Sequence, residues 1–158
     1  MQISDRTFIK TMSKIKCCNA YISRVLNSMV SFGGLDTALK ACKVVKATPG
    51  HCILSMVVEK EHSNRGGALH GAFSAYLVDI GSTLALMSLN QKLPGVSLNM
   101  NFTYLKPAKI GEEILIDSRT VKKGGNLAFL ECEIKSRESG KLLVKGSHTQ
   151  YVGSSFKW

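Results

Sequence analysis

The spacing of apolar residues changes period along this chain, and each change marks an element. From Ala72 to Leu89 the apolar positions Phe73, Leu77, Ile80, Leu84 and Met87 recur at three- and four-residue steps, which predicts one long helix over about residues 69–89. From Val96 to Tyr104 the period drops to two. Val96, Leu98, Met100, Phe102 and Tyr104 are expected on one side of a strand, with Ser97, Asn99, Asn101 and Thr103 on the other. "CILSMVVEK" (52–60) reads as a strand ahead of the helix, and "EILIDSRTVK" (113–122), "LAFLECEIKS" (127–136) and "KLLVKGSHTQYV" (141–152) as strands after it. "LPG" (93–95) is a turn, and "KGGN" and "ESGK" are hairpin-type links. One strand, a long helix and four closely linked strands predict an α+β fold, an antiparallel sheet packed on a single dominant helix.

Upstream, Ile9, Met12 and Ile15 fall at helical spacing beside Lys10, Lys14 and Lys16, and Arg6–Leu35 carries five basic residues and no acidic one. "FGGL" (32–35) breaks this run, and a short helix and the turn "TPG" (48–50) follow. Residues 1–35 are therefore expected as a basic N-terminal extension or helix, and 36–158 as one domain. A surface helix leading into the domain and a mitochondrial targeting segment share this composition. No apolar run reaches the ~18 uninterrupted residues of a membrane span. The longest, 72–89, is interrupted by Asp79 and by Ser, Gly and Thr, so a core helix is expected.

Composition adds a charge argument. Of the net +10, residues 1–50 hold eight Lys/Arg against Asp5 and Asp36, and the other 108 residues hold 13 against nine acidic groups. Such an excess suits an anionic partner, whether nucleic acid, a membrane surface or a phosphorylated small molecule, and it equally describes a solvated surface. Nucleic acid is disfavoured because no aromatic-rich basic motif accompanies the charge. The five cysteines (Cys17, Cys18, Cys42, Cys52, Cys132) have neither CxxC nor metal spacing. They predict a reducing compartment, cytoplasmic or mitochondrial, and not secretion.

Asp79 is the anomaly of the long helix. Its neighbours at three and four residues are Ala75, Tyr76, Ser82 and Thr83, mostly small, so it lies off the apolar stripe on a narrow face. A solvent-facing or salt-bridged Asp would look the same. The loop ahead of it, "HSNRGGALHGA" (62–72), supplies Asn64, three glycines and two histidines. Glycines admit close backbone approach, and the first-turn N–H groups of a helix are unpaired donors suited to negative charge. The N–H of Gly71 is a candidate donor to a carbonyl or an oxyanion, although Gly-rich turns before helices are common without that role. His62 and His70 do not form a zinc spacing, so no metal is expected. His148 reads as structural.

These residues carry a resemblance. "EHSN…GALHGAFSAYLVDIGSTLAL", "PGVSLNMNFTYLKPAKIGEEI" and "GGNLAFLECEI…GKLLVKGSHTQY" together resemble the hotdog-fold acyl-CoA thioesterases, collinearly over about residues 35–152. The resemblance implies the hotdog fold, an antiparallel sheet wrapped around one long central helix, and hydrolysis of medium- to long-chain fatty acyl-CoA. It implies that Asn64 and the Gly71 N–H bind and polarise the thioester carbonyl, that Asp79 activates water, and that Ser97 positions it. It further implies contacts to substrate and coenzyme A from His70, Asn99, Tyr104, Lys106, Pro107, Lys109, Lys122, Lys123 and Gly124. Tyr151 is included although the family does not hold that position to tyrosine. The family usually reads HGG where this chain has His70-Gly71-Ala72, a difference that bears on acyl fit. No cofactor is implied, coenzyme A being part of the substrate.

Spacing adds one deduction. Gly71 and Asp79 are eight residues apart, about 12 Å along a helix at ~1.5 Å per residue. Both must approach one reacting centre to within ~3 Å, which a single copy cannot arrange. A two-fold dimer can, with Asp79 and Ser97 of one subunit facing Asn64 and Gly71 of the other. The resemblance implies the same, with dimers commonly paired into tetramers. A carboxylate base and an oxyanion hole suffice for a thiolate leaving group, and direct attack by Asp79 to form a mixed anhydride is the other route. A non-catalytic acyl-CoA-binding protein of the same fold is the alternative from another class. Hotdog dehydratases are disfavoured, because no His falls at the partner site of Asp79.

Overall fold

The structure, a computed structural model, describes residues 5–90 and 94–153. Helix α1 (Asp5–Phe32) leads into a 3₁₀ segment (Gly34–Ala41) and then strands β1 (Lys43–Thr48) and β2 (His51–Val57). After the loop come helix α2 (Gly71–Asn90) and strands β3 (Val96–Tyr104), β4 (Glu113–Gly124), β5 (Leu127–Ser136) and β6 (Leu142–Tyr151). The six strands form one sheet in the order β1-β2-β4-β5-β6-β3, every described pair antiparallel. Helix α2 lies across β2, β4, β5 and β6, giving the α+β, hotdog-type architecture that was expected.

Two expectations need correction. One strand is expected before the long helix, and there are two. "KVVKAT" escaped notice because β1 is an edge strand with only one fully buried residue, Ala47, so it lacks a clear apolar alternation. The second correction concerns β3. The register slips between Ser97 and Asn99, so Leu98 is the extra residue of a bulge and is 57% exposed. Past the bulge, Met100, Phe102 and Tyr104 pair with His148, Gly146 and Val144, while Ser97 pairs with Gln150. Those β6 residues all face α2, so Ser97 shares the helix-facing side with Met100, Phe102 and Tyr104. A one-residue slip exchanges the faces of a strand, and here it turns the Ser97 hydroxyl toward the helix.

The helix sits close to the sheet because glycines admit it. A Cβ on Gly81 would lie 2.6 Å from Ser118 Oγ and 2.9 Å from Ile116 Cγ2, and one on Gly146 would lie 2.6 Å from Val78 Cγ1. Gly81→Val is expected to destabilise the fold by about 1–3 kcal/mol through overpacking, read as a lower urea midpoint. Gly71–Leu89 has the length and mean hydropathy (1.4) to cross a membrane, but 56% of it is buried within the fold. Leu77, Val78, Leu84 and Ala85 supply that burial against Leu54, Ile114, Ile116 and Ile134. Helix α1 packs beside β1, and Cys18, Ile22 and Leu26 from it belong to the same core as Leu39 and Cys42.

Candidate active site

Asp79 stands in the middle of α2, with its side chain 32% exposed. Its Oδ1 is 3.8 Å from Nδ1 of His148, whose side chain is fully buried on β6. His148 Nε2 is 2.9 Å from Ser97 Oγ, and its Nδ1 is 2.8 Å from Ser82 Oγ. Ser97 is also hydrogen-bonded to the Asp79 side chain. An ionised carboxylate only accepts, so Ser97 donates its hydroxyl proton to Asp79 and accepts from His148 Nε2–H. A neutral ring then presents Nδ1 to the Ser82 hydroxyl, a tautomer assigned from the network. Burial lowers the His148 pKa against the raising effect of Asp79, in keeping with that neutral form. The Asp79 pKa is raised, first by burial and then by the charge of Asp36, against the lowering effects of His148 and Ser97.

His148 is the site residue that sequence reasoning missed. No His is expected beside the helical acid, and the position of His148 corrects that expectation; its full burial and its bonds to Ser82 and Ser97 accord with the structural reading. The available signal was the alternation of Gly146, His148 and Gln150 along β6, which puts all three on one face. Only the pairing of β6 with β3 tells which face that is.

The second constellation surrounds the start of α2. Asn64 Oδ1 accepts the N–H groups of Gly66 (2.9 Å) and Ala68 (3.3 Å), so its Nδ2 is the end that is left to donate. Gly71 opens α2, and its N–H has no carbonyl four residues back within the helix. His70 is exposed and caps the turn, its Nδ1 accepting the Ala72 N–H at 3.1 Å and its carbonyl accepting Ser74 N–H at 2.9 Å. Asn64, Gly71, Tyr104, Lys106 and Pro107 line a cleft of about 330 Å³. Tyr104 closes over Gly71, its hydroxyl donating to the Gly71 carbonyl at 3.2 Å. Lys109 is bridged to Ala68 beside this loop.

The remaining expected contacts lie elsewhere. Gly124 pairs with Leu127, Leu127 with Tyr151 and Tyr151 with Val96, one continuous rung that brings the Lys122–Lys123–Gly124 hairpin to the Ser97 end of β3. Tyr104 is at the other end of that strand, on the order of 20 Å away at ~3.3 Å per residue. Asn99 is on the face turned away from α2, its Oδ1 accepting from Asn101 at 2.6 Å. Within one copy, then, Asp79 and Gly71 stand eight residues apart on α2 and do not meet. Each half carries its own lysines.

Two other chemistries find little footing among the described residues. Burial pushes the thiols of Cys42, Cys52 and Cys132 up to about 12, which removes them as thiolate nucleophiles. Glu59, Glu61 and His62 lie close together, yet His62 Nδ1 accepts the Glu59 N–H at 3.1 Å. A neutral ring so bonded carries its proton on Nε2 and has no free lone pair for a metal.

Residues 66–143 match the thioesterase superfamily. The chain is 42% identical to acyl-coenzyme A thioesterase 13 of Mus musculus over 133 residues, 84% of this chain and 95% of that protein. It is similar to the crystal structure of zebrafish thioesterase superfamily member 2, with TM-score 0.80 and 42% identity over 82% of this chain and 94% of that one. A hypothetical thioesterase protein from Streptococcus pneumoniae, crystallised with coenzyme A, matches with TM-score 0.67 and 27% identity, covering 72% and 89% of the two chains.

Proposed function

This chain belongs to the thioesterase superfamily and is an acyl-CoA thioester hydrolase, and from that premise we propose a substrate class and a division of labour between two copies. The substrate is medium- to long-chain fatty acyl-CoA, and the products are the fatty acid and free coenzyme A. Asp79 takes a proton from a water that Ser97 helps to orient, and the water oxygen bonds to the thioester carbonyl carbon. The negative charge that develops on the carbonyl oxygen is met by Gly71 N–H and Asn64 Nδ2 from the second copy. Collapse of this adduct breaks the C–S bond and expels the thiolate, a leaving group good enough to need no strong acid. The reaction draws on no cofactor.

The observation that carries this reading is the separation of Asp79, in the middle of α2, from Gly71 at its start, with complementary groups gathered at the two places. The free edge of β3 supports it. Strand β3 ends the sheet, and Leu98 and Tyr104 are exposed on it. Antiparallel pairing of β3 with its own copy would oppose the Ser97 end of one subunit to the Tyr104 and Gly71 end of the other. It would also remove an open edge. Lys106 and Lys109 from one copy, and Lys122 and Lys123 from the other, would then flank the coenzyme A phosphates. Leu127, Phe129 and Tyr151 lie on the sheet face turned away from α2, where two such dimers would pack as a tetramer.

The test is free-thiol release across an acyl-CoA series from short to long chains. kcat/KM is expected to rise from acetyl-CoA to medium and long chains. Equal turnover of all lengths would sink the substrate class, and tight binding without thiol release would identify a binding protein. Single turnover in ¹⁸O-labelled water separates the two chemical routes, because label in the Asp79 carboxylate would mark an anhydride.

A further inference from the structure

Asp36 enters the site described so far only through its charge on Asp79, and the fold holds it there from the N-terminal side. Gly33 and Gly34 adopt positive φ (94° and 65°), conformations that favour glycine, and turn the chain from α1 into the 3₁₀ segment. Leu39, fully buried, anchors that segment in the core. Asp36 Oδ1 thereby receives the hydroxyl of Tyr76 in a short hydrogen bond. Tyr76 is three residues before Asp79, on the adjoining turn of α2, where side chains at that spacing are neighbours. Its ring is held by Phe73 (centroids 5.9 Å), which in turn stacks on buried His62 (4.8 Å). The N-terminal segment therefore fixes a second carboxylate on Tyr76, one helical turn from the residue proposed as the base, and its charge acts on Asp79.

We propose that Asp36, held by Tyr76, is a positioning residue whose negative charge tunes the basicity of Asp79 and so sets the lower pH limit of turnover. The charged and titratable groups around Asp79 come from each element packed there: Asp36 from the 3₁₀ segment, Tyr76 from α2 itself and His148 from β6, with the hydroxyl of Ser97 from β3. Like charge disfavours a second ionised carboxylate, and it makes that carboxylate a stronger base once formed. Burial, the hydrogen bond to Asp36 and the charges of Asp36 and Asp79 all raise the Tyr76 pKa, so the phenol is a neutral donor at ordinary pH. This role rests on the assignment of Asp79 as the base.

Asp36→Asn isolates the charge, because the amide oxygen still accepts the Tyr76 hydroxyl. The chain has only four aspartates, Asp5, Asp36, Asp79 and Asp117, so carboxyl-¹³C labelling of Asp gives a readable titration by NMR. In Asp36→Asn the Asp79 resonance is expected to titrate at lower pH than in the wild type. The acid limb of kcat/KM should move to lower pH with it, while Asp36→Glu keeps both near their wild-type positions. An unchanged Asp79 titration in Asp36→Asn would overturn the proposal, as a purely structural contact predicts. Should that variant fold poorly, Asp36→Ser carries the same measurement. A shifted Asp79 titration with no matching shift in the rate profile would instead refute Asp79 as the base and leave the coupling standing.

Discussion

Asp79→Asn is expected to lower kcat for acyl-CoA hydrolysis by about 10²- to 10⁴-fold, the range that a positioned general base contributes. The fold and the subunit assembly should survive, since the amide is isosteric and Ser97 can still bond to it. Steady-state thiol release with a size-exclusion control reads both outcomes. Turnover within a fewfold of wild type would remove Asp79 from the mechanism. The pH profile carries a second signature. Burial and the charge of Asp36 raise the Asp79 pKa, with His148 and Ser97 only partly opposing them. Water activation needs the ionised form, so the acid limb of kcat/KM should fall at higher pH than for an ordinary carboxylate.

The same residue predicts a stability change of opposite sense. A carboxyl whose pKa is raised on folding binds its proton more tightly in the native state. Its stabilising contribution is full below the unfolded pKa and is lost as pH rises through the folded pKa. At neutral pH the ionised Asp79 is therefore a cost, and Asp79→Asn should melt at a higher temperature than wild type. The difference should shrink on acidification. A variant that loses activity while gaining stability is what a group retained for chemistry produces.

Mixed dimers should recover activity that neither parent has. Asn64→Ala removes one oxyanion donor, at a cost of about 10²- to 10³-fold in kcat. A dimer pairing an Asp79→Asn subunit with an Asn64→Ala subunit has one doubly damaged site and one intact site, if each site draws its base and its donors from different copies. Co-expression with two affinity tags and sequential purification isolates that species. It is expected to show about half of wild-type activity per dimer. If base and donors came from one copy, both sites would be damaged and the mixed dimer would stay as poor as its parents. Few measurements divide the two arrangements so widely.

By itself, the order of residues along this chain determined the long helix and four strands after it, and it singled out Asp79 and the glycine-rich loop ahead of it, while the roles of Asn64 and Ser97 came in only through the family resemblance. These features are local: a period of 3.6 or 2, a glycine-rich loop before a helix, and an acid among small residues. It also determined that Gly71 and Asp79 could not meet in one copy, because the rise of a helix is constant. Strand β1 was out of reach, since an edge strand beside α1 needs little apolar alternation. The side on which Ser97 stands was also undecided, because the bulge at Leu98 shows only in the register with β6. His148 is 69 positions from Asp79 in sequence, and Asp36 is 40 from Tyr76. Only sheet pairing and the turn at Gly33–Gly34 bring these groups together. Local sequence thus placed the candidate groups on their elements, and long-range packing in a low-dielectric interior decided which neighbours surround them.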